Sequence, residues 1–212
     1  MFQTLAFKQT RRPGSPLRRA VFLDRDGVLC QTTVRNGKPY AVRTLREFRL
    51  MPHARDAVRA LAKSGFAVIV VTNQPDLGAG LMEASELDAM HERILTTMPV
   101  RQIIVCPHTR VDNCPCRKPK DGMLLQAQRE HDLDLPNSFM VGDRASDIEA
   151  GLTAGCTTIF IDRRYGEARP TGMHAVARSL AEATRMILSK PQWSQDPTAT
   201  LASSEKRFTP KP

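Results

Sequence analysis

Apolar residues along this chain follow two alternating patterns: short continuous runs, and longer stretches in which they recur every three or four positions. The runs are typical of buried strands, and the wider spacing is typical of helices with one buried face. The predicted strands cover residues 21–23, 66–71, 102–105, 138–141 and 157–161. The predicted helices cover residues 54–64, 83–98, 122–131, 148–154 and 179–188. Because the two kinds of element alternate, the pattern predicts an α/β fold with a parallel sheet and right-handed crossovers.

Two carboxylates stand where the first predicted strand ends. Asp24 and Asp26 lie two residues apart in the run LDRDG, so both side chains can project to the same side of the strand's carboxyl end. Ligands bind at that end of the strands in open α/β sheets. A solvated turn is the alternative, but neighbouring carboxylates repel each other, which indicates a bound cation or a proton-transfer role.

Two further predicted strands end in polar residues at the same edge. The residues Thr72, Asn73 and Gln74 follow a run of β-branched residues, and their hydroxyl and amides are suitable donors to a phosphate oxygen. Asp143 follows the fourth strand in the segment SFMVGDRASDIEAG. Three carboxylates at one edge form the all-oxygen site that Mg²⁺ prefers. We interpret Asp147, at the start of the next helix, as a support for this site, and an ordinary acid in the first turn of a helix is the alternative.

Two adjacent cations, Arg117 and Lys118, precede Pro119. Arginine binds an anion as a planar fork and lysine binds it as a point charge, so the pair is suited to a phosphate group. An exposed basic loop explains the pair equally well when it is considered alone.

Three of the five cysteines lie close together with a histidine. The group consists of Cys106, His108, Cys114 and Cys116. Two close ligand pairs joined by a short loop can surround one tetrahedral Zn²⁺, and four protein ligands make such a site structural. Free thiols or a disulfide are the alternatives. Thiolate ligation fits a reducing compartment, and we expect Cys30 and Cys156 to pack in or near the core.

Taken in order, these pieces resemble the haloacid dehalogenase superfamily of phosphohydrolases. The matches are residues 24–27 as DxDG, Thr72 after the second strand, Lys118, and residues 142–147 as GDxxxD. The resemblance spans residues 20–188, which is most of the chain. It implies a Rossmann-like three-layer sandwich whose central parallel sheet has the strand order 3-2-1-4-5.

The same resemblance implies a Mg²⁺-dependent mechanism with an aspartyl-phosphate intermediate. It makes Asp24 the nucleophile and Asp26 the general acid and base. Thr72 and Lys118 would hold the transferring phosphoryl group. Asp24, the backbone carbonyl of Asp26 and Asp143 would bind the Mg²⁺.

The zinc pattern joined to these motifs resembles one branch of the superfamily. That branch contains the D-glycero-D-manno-heptose 1,7-bisphosphate 7-phosphatases and the histidinol-phosphate phosphatases, which are nearly capless and carry a zinc loop where relatives carry a lid domain. This chain agrees, because Cys30 and His53 are only 23 positions apart, too few for a lid domain.

The heptose bisphosphate is the favoured substrate, because a second anionic group would explain the cations near the site. These cations are Arg35, Lys38, Arg117 and Arg144. The predicted substrate contacts are Arg35, Asn73, Gln74, Arg117 and Arg144. Histidinol phosphate is the alternative, since the five residues between His108 and Cys114 resemble the short zinc loop of those enzymes. The chain departs from the heptose enzymes at Ala79, where they usually carry an arginine.

Composition and charge are compatible with this interpretation. The 212 residues carry a formal net charge of +9 and are 41% hydrophobic, which suits one domain of an α/β enzyme. Residues 1–20 hold five cations and no acid. The predicted organisation is a flexible basic tail over residues 1–18, a phosphatase domain over 19–190 and a flexible tail over 191–212. No apolar run approaches a membrane span and no signal-peptide pattern opens the chain, so we expect a cytoplasmic location.

The expected partner is a small phosphorylated substrate, and a sugar bisphosphate is favoured. We expect no membrane partner, and we favour a monomer. The basic tail favours a polynucleotide 3′-phosphatase, whose DNA binding would depend strongly on salt. The zinc pattern argues against that activity. A non-catalytic, zinc-stabilised binding module is opposed by the intact set of predicted catalytic aspartates and lysine.

Overall fold

The computed structural model describes residues 17–189, which form a parallel sheet with helices on both faces. The strands are β1 Ala20–Leu23, β2 Thr33–Arg35, β3 Lys38–Tyr40, β4 Ala67–Asn73, β5 Gln102–Cys106, β6 Phe139–Gly142, β7 Thr157–Ile161 and β8 Ala175–Ala177. The main sheet has the order β5-β4-β1-β6-β7-β8, with all neighbours parallel. The predicted order of five strands is confirmed, and β8 is added at the edge.

The helices also follow the predicted pattern. They are α1 Ala54–Lys63, α2 Pro75–Gly78, α3 Ala84–Thr97, α4 Gly122–His131, α5 Ala145–Thr153 and α6 Leu180–Ser189, with a short 3₁₀ turn at Leu135–Asn137. The bounds of α4 and β7 are those predicted. Helix α5 begins three residues earlier than predicted, because Asp147 Oδ2 accepts the backbone N–H groups of Asp143 at 3.2 Å and Arg144 at 3.0 Å and so caps the helix start.

Alternating side chains of β1 divide the core into two layers. Val21 and Leu23 pack in the apolar cluster that includes buried residues of α1, α3 and α6. Ala20 and Phe22 point to the opposite face, into the cluster with α4 and α5. The central strand is therefore buried on both sides, as expected for a parallel sheet between two helical layers. The predicted three-layer sandwich is confirmed.

A small antiparallel hairpin, β2 and β3, stands outside the main sheet. Its turn residues Asn36 and Gly37 both have positive φ, 49° and 73°, as a type I′ turn requires. The apolar pattern predicted no strand here, because both strands are short and largely exposed and so carry no apolar alternation. Within the described residues, the segment between β1 and α1 holds this hairpin and no separate domain.

The predicted tails fall mostly outside the described part of the chain. Residues 1–16 and 190–212 are not described, so the assignment of these segments as tails stays a prediction. Arg18, assigned to the N-terminal tail, is described, and its backbone N–H donates to the carbonyl of Asp132 at 3.1 Å. Between residues 17 and 189, no helix is long and apolar enough to cross a membrane.

Candidate active site

Three adjacent strands bring the predicted catalytic residues to one edge of the sheet. Asp24 follows β1, Thr72 lies near the end of β4, and Asp143 follows β6. Because β1 pairs with both β4 and β6, the ends of all three strands are neighbours. Asp24, Asn73 at the end of β4 and Arg144 beside Asp143 border an open cavity of about 940 Å³. This is the edge at which ligands bind in open α/β folds.

Lys118 reaches the site from a loop and is almost completely buried. Its Nζ lies 2.5 Å from Asp24 Oδ1 and 2.6 Å from Asp147 Oδ1, and it donates to the Val71 carbonyl at 2.7 Å. Burial lowers the pKa of Lys118, but the two carboxylates raise it by more, so the amine stays charged. The side-chain amide of Asn73 donates to the Lys118 carbonyl at 3.0 Å and accepts its N–H at 3.1 Å, which fixes the loop against β4.

Three buried carboxylates meet beside Lys118. One oxygen each of Asp24, Asp143 and Asp147 lies within 4.8 Å of the other two. Burial is the main cause that raises the pKa of Asp24 to about 7, and burial together with Asp24 raises the pKa of Asp143. Three acids beside one lysine leave negative charge without a partner, which a divalent cation would stabilise.

The free oxygen of Asp143 fits such a cation. Tyr165 donates its hydroxyl to Asp143 Oδ2 at 2.8 Å, whereas Asp143 Oδ1 is buried without a hydrogen-bond partner among the described residues. An unsatisfied buried acceptor costs roughly 1–3 kcal/mol, and a hard cation removes that cost. The side chains of Asp24 and Asp143 therefore fit the Mg²⁺ ligands expected from the sequence. The carboxylate of Asp26 lies outside this cluster.

The loop after β7 supports the metal-binding edge. A Cβ atom on Gly27 would lie 1.8 Å from Asp143 Oδ2 and 2.8 Å from the Tyr165 hydroxyl, so only glycine permits this approach. Arg163 Nε also donates to the Gly27 carbonyl at 2.7 Å. The loop thus holds both the turn after β1 and the aspartate after β6.

We expect Tyr165→Phe to weaken Mg²⁺ binding about tenfold, because Asp143 loses the donor that orients its carboxylate. Calorimetric titration with Mg²⁺ in the absence of substrate measures this effect. Thr32→Val is the matched control. It removes the Thr32 hydroxyl, which lies 3.2 Å from the Tyr165 hydroxyl, and it keeps the hydrogen bond from Tyr165 to Asp143. An unchanged Mg²⁺ affinity in Tyr165→Phe would contradict the orienting role.

Donor groups surround the side chain of Asp26. Arg25 donates to it twice at 3.0 Å, Gln74 Nε2 once at 2.7 Å and Cys30 Sγ once at 3.4 Å. Gln74 Nε2 also donates to Thr72 Oγ1 at 2.8 Å. Because Thr72 accepts this bond, its own hydroxyl proton stays free for a phosphoryl oxygen.

The predicted amide contacts to substrate have partners inside the protein. Asn73 and Gln74 both border the cavity. Asn73 is bonded to the backbone of Lys118, and Gln74 is fully buried between Thr72 and Asp26. Both amides therefore contact residues that the sequence predicts to be catalytic.

In the described part of the chain, six cationic residues line the cavity: Lys38, Arg110, Arg117, Lys118, Lys120 and Arg144. Arg117 and Arg144 are among the predicted substrate contacts, and Lys38 lies on the hairpin. Arg144 forms an ion pair with Glu167, which also borders the cavity. The structure does not bring Arg35 to the cavity wall, because the exposed hairpin presents Lys38 there instead.

The predicted zinc ligands converge on one point. The Sγ atom of Cys114 lies 3.6 Å from that of Cys106 and 3.4 Å from that of Cys116. His108 Nδ1 lies 3.7 Å from Cys106 Sγ and 3.3 Å from Cys116 Sγ. Ligand atoms around tetrahedral Zn²⁺ are about 3.5–3.8 Å apart with ordinary Zn–S and Zn–N bonds. The four side chains therefore fit one Zn²⁺ with no open position.

The zinc-ligand loop packs tightly against its neighbours. A Cβ atom on Gly78 would lie 2.3 Å from the Pro107 carbonyl oxygen, and one on Gly122 would lie 2.3 Å from that of Pro115. These glycines bring α2 and the start of α4 directly against the loop. Since Lys118 follows the last ligand, Cys116, by two residues, a fixed loop also fixes the approach of Lys118 to the site.

Sequence reasoning gave no role to several residues that the structure places around the site. Arg25 lies inside the LDRDG run, and His91 lies on the apolar face of α3, one residue after Met90. Tyr165 and Glu167 follow β7, whose carboxyl end lies at the same sheet edge. That position was an available signal for the last two, whereas nothing in the local pattern connects Arg25 with His91.

Comparison with known proteins agrees with this geometry. The HAD-hydrolase-like family model matches residues 115–183. A D-glycero-β-D-manno-heptose-1,7-bisphosphate 7-phosphatase of Pseudomonas putida is 34% identical over 152 residues, which are 69% of this chain and 84% of that protein. The histidine biosynthesis bifunctional protein HisB of Blochmanniella floridana is 34% identical over 140 residues, which are 64% of this chain and 38% of that protein.

A solved structure is similar over nearly its whole length. The D,D-heptose 1,7-bisphosphate phosphatase of Bordetella bronchiseptica, crystallised with magnesium and phosphate, has a TM-score of 0.69 and 31% sequence identity. The similarity covers 81% of this chain and 98% of that one.

Proposed function

The chain belongs to the haloacid dehalogenase superfamily of hydrolases, and we propose that it removes the 7-phosphate of D-glycero-D-manno-heptose 1,7-bisphosphate. The observation that carries the phosphatase activity is the buried contact of 2.5 Å between Lys118 Nζ and Asp24 Oδ1. It lies beside Asp143 Oδ1, which has no hydrogen-bond partner within residues 17–189. The names of the similar proteins support a heptose bisphosphate as the substrate. The cations Lys38, Arg117 and Arg144 at the cavity support a substrate with two phosphate groups.

The proposed reaction has two steps. A carboxylate oxygen of Asp24 attacks phosphorus while the bond from phosphorus to the sugar oxygen breaks, and Asp26 gives its proton to that oxygen. Asp26 then takes a proton from water, whose oxygen attacks the same phosphorus and releases Asp24 and inorganic phosphate. The three N–H groups of Lys118 contact Asp24, Asp147 and the Val71 carbonyl, so the bond to Asp24 would pass to a phosphoryl oxygen when Asp24 attacks phosphorus. The free hydroxyl of Thr72 would donate to another phosphoryl oxygen.

The proposed metal ligands are the side chains of Asp24 and Asp143 and the carbonyl of Asp26. Mg²⁺ bound there would offset the negative charge that gathers between the aspartates and the phosphoryl group. The magnesium and phosphate in the similar Bordetella enzyme support this cofactor. Zn²⁺ at the cysteine and histidine cluster would have a structural role.

Phosphate release from heptose 1,7-bisphosphate and from histidinol phosphate, measured side by side with Mg²⁺, tests the proposed substrate. We expect kcat/KM to be at least about 100-fold higher for the bisphosphate, because only that substrate has a second phosphate group for the cations around the cavity to bind. Heptose 7-phosphate is the matched control that lacks the 1-phosphate. Faster release from histidinol phosphate would reject the heptose assignment.

Histidinol phosphate is the second candidate for a specific reason. The chain matches part of HisB, and only five residues separate His108 from Cys114 in the zinc loop. If the substrate comparison favours histidinol phosphate, the length of this loop is the better guide to the substrate than the cations are.

A further inference from the structure

Arg25, which lies between the two catalytic aspartates in sequence, is fully buried. A buried guanidinium needs both a counter-charge and acceptors for its N–H groups. Nε and Nη2 of Arg25 donate to the two carboxylate oxygens of Asp26 at 3.0 Å each. Nη1 lies 3.3 Å from Nε2 of His91, a residue of α3 that is 66 positions further along the chain.

The hydrogen bond between Arg25 and His91 fixes the protonation of the histidine. An arginine side chain only donates, so Nε2 of His91 carries a lone pair and the ring proton lies on Nδ1. Burial, followed by the nearby charge of Arg25, lowers the pKa of His91 to about 3, in agreement with a neutral ring. His91 is therefore a neutral acceptor for the side of the guanidinium that Asp26 does not contact.

We propose that Arg25 and His91 form a positioning pair for Asp26, in which His91 orients the guanidinium and the guanidinium holds the carboxyl group of Asp26. The inference rests on the proposed function, in which Asp26 gives its proton to the departing sugar oxygen. A carboxyl group that carries a proton still has lone pairs for Arg25, and the charge of Arg25 stabilises the carboxylate that develops as the proton leaves. The pair thereby acts on the step in which the alcohol departs, and it keeps Asp26 in place for the attacking water.

The other donors to Asp26 do not replace this pair. Gln74 and Cys30 are neutral and donate one bond each, at 2.7 Å and 3.4 Å. Among these three donors, Arg25 alone contacts both carboxylate oxygens, and its positive charge is opposite to that of the carboxylate. Loss of the acceptor on His91 would leave Nη1 unpaired in a buried position, so the guanidinium would turn and its two bonds to Asp26 would lose their alignment.

The variants His91→Leu and His91→Gln test the positioning pair with two phosphate esters. One is p-nitrophenyl phosphate, and the other is the alkyl phosphate that the wild-type enzyme cleaves best. The kcat/KM value covers only the steps up to departure of the alcohol, and an alkyl oxygen needs a proton from Asp26 whereas p-nitrophenolate leaves without one. We expect His91→Leu to lower kcat/KM about tenfold for the alkyl ester and less than about threefold for p-nitrophenyl phosphate. His91→Gln keeps an acceptor and should recover most of the loss.

Glu92→Leu is the control. It introduces the same leucine side chain on α3, at the exposed position next to His91. Urea unfolding of each variant separates lost stability from lost positioning. The proposal is overturned by equal losses on both esters, by unchanged activity in His91→Leu, or by a His91→Gln variant as impaired as His91→Leu. Failure of the proposed function is a different result: an alkyl phosphate other than the heptose bisphosphate would be cleaved best, and the comparison of leaving groups would still apply.

Discussion

Replacing Asp24 by Asn is expected to lower kcat/KM for phosphate release by at least about 10⁴-fold, the scale on which removal of a catalytic nucleophile acts. The amide has the same size and can still accept the hydrogen bond from Lys118, but its oxygen carries no charge with which to attack phosphorus. Steady-state phosphate release with Mg²⁺ measures the loss. Asp56→Asn is the control at an exposed position. Residual activity within tenfold of the wild type would exclude Asp24 as the nucleophile.

The same variant should show how much the ionisation of the buried Asp24 lowers the free energy of unfolding. In the metal-free protein, burial raises the pKa of Asp24 to about 7, from 3.8 in an unperturbed chain. The folded state therefore holds a proton that the unfolded state releases, so this contribution to stability is complete below pH 4 and is lost as the pH rises through 7. The amide in the variant does not titrate. Relative to the wild type, Asp24→Asn should gain up to about 1.4 kcal/mol per pH unit across that window.

Urea unfolding in EDTA between pH 4 and pH 8 measures this difference. Asp24→Asn is expected to be the more stable protein at pH 8, and its advantage should shrink as the pH falls. Mg²⁺ should stabilise the wild type more than the variant, since the variant lacks one charged ligand. A stability difference that does not change with pH would show that Asp24 is already ionised in the metal-free site.

Replacing Cys114 by Ala is expected to abolish zinc binding at the proposed structural site and to destabilise the fold by at least about 3 kcal/mol, a fraction of the roughly 10–16 kcal/mol with which structural sites bind the ion. Turnover should fall as well, because Lys118 lies two residues beyond the last ligand, Cys116. Metal analysis of the purified protein, urea unfolding and phosphate release report the three effects.

Cys156→Ala is the matched control for the zinc site, because it removes a buried thiol that lies outside the cluster. It should keep one zinc per chain and lose only the packing of one sulfur atom. A wild-type protein that contains no zinc would show that the cluster is a group of free thiols, and a Cys114→Ala variant that keeps full zinc and full stability would show that Cys114 is not one of the ligands.

The apolar pattern predicted those parts of the fold in which burial dictates the sequence. Strand β7 is buried along its whole length, and α4 buries one regular face, so both have the predicted bounds. Strand β8 has three residues and the hairpin is largely exposed, so neither imposes the alternation from which strands are recognised. Helix α5 began earlier than predicted because a polar cap, and not an apolar stripe, defines its first turn.

The candidate site was predictable where each residue sits next to a strand end. Asp24, Thr72 and Asp143 follow this rule, because the topology of a parallel sheet brings such positions together. Contacts between distant segments follow no such rule. The bond from Tyr165 to Asp143 and the contact of Arg25 with His91 depend on how a loop and a helix pack over the edge, which local spacing does not encode.

Lys118 has two fixed points: the predicted zinc ligand Cys116 lies two residues before it, and the side-chain amide of Asn73 bonds to its own backbone. The five residues between His108 and Cys114 therefore lie outside the span that sets the position of the lysine. Val111, at the tip of that stretch, is 91% exposed. Loop tips of this kind tolerate insertions. Loops of different length could therefore diverge after Val111 while Lys118 keeps its position. Because Arg110 and Asn113 border the cavity, we expect such a change in length to alter the choice of substrate more than the phosphoryl chemistry.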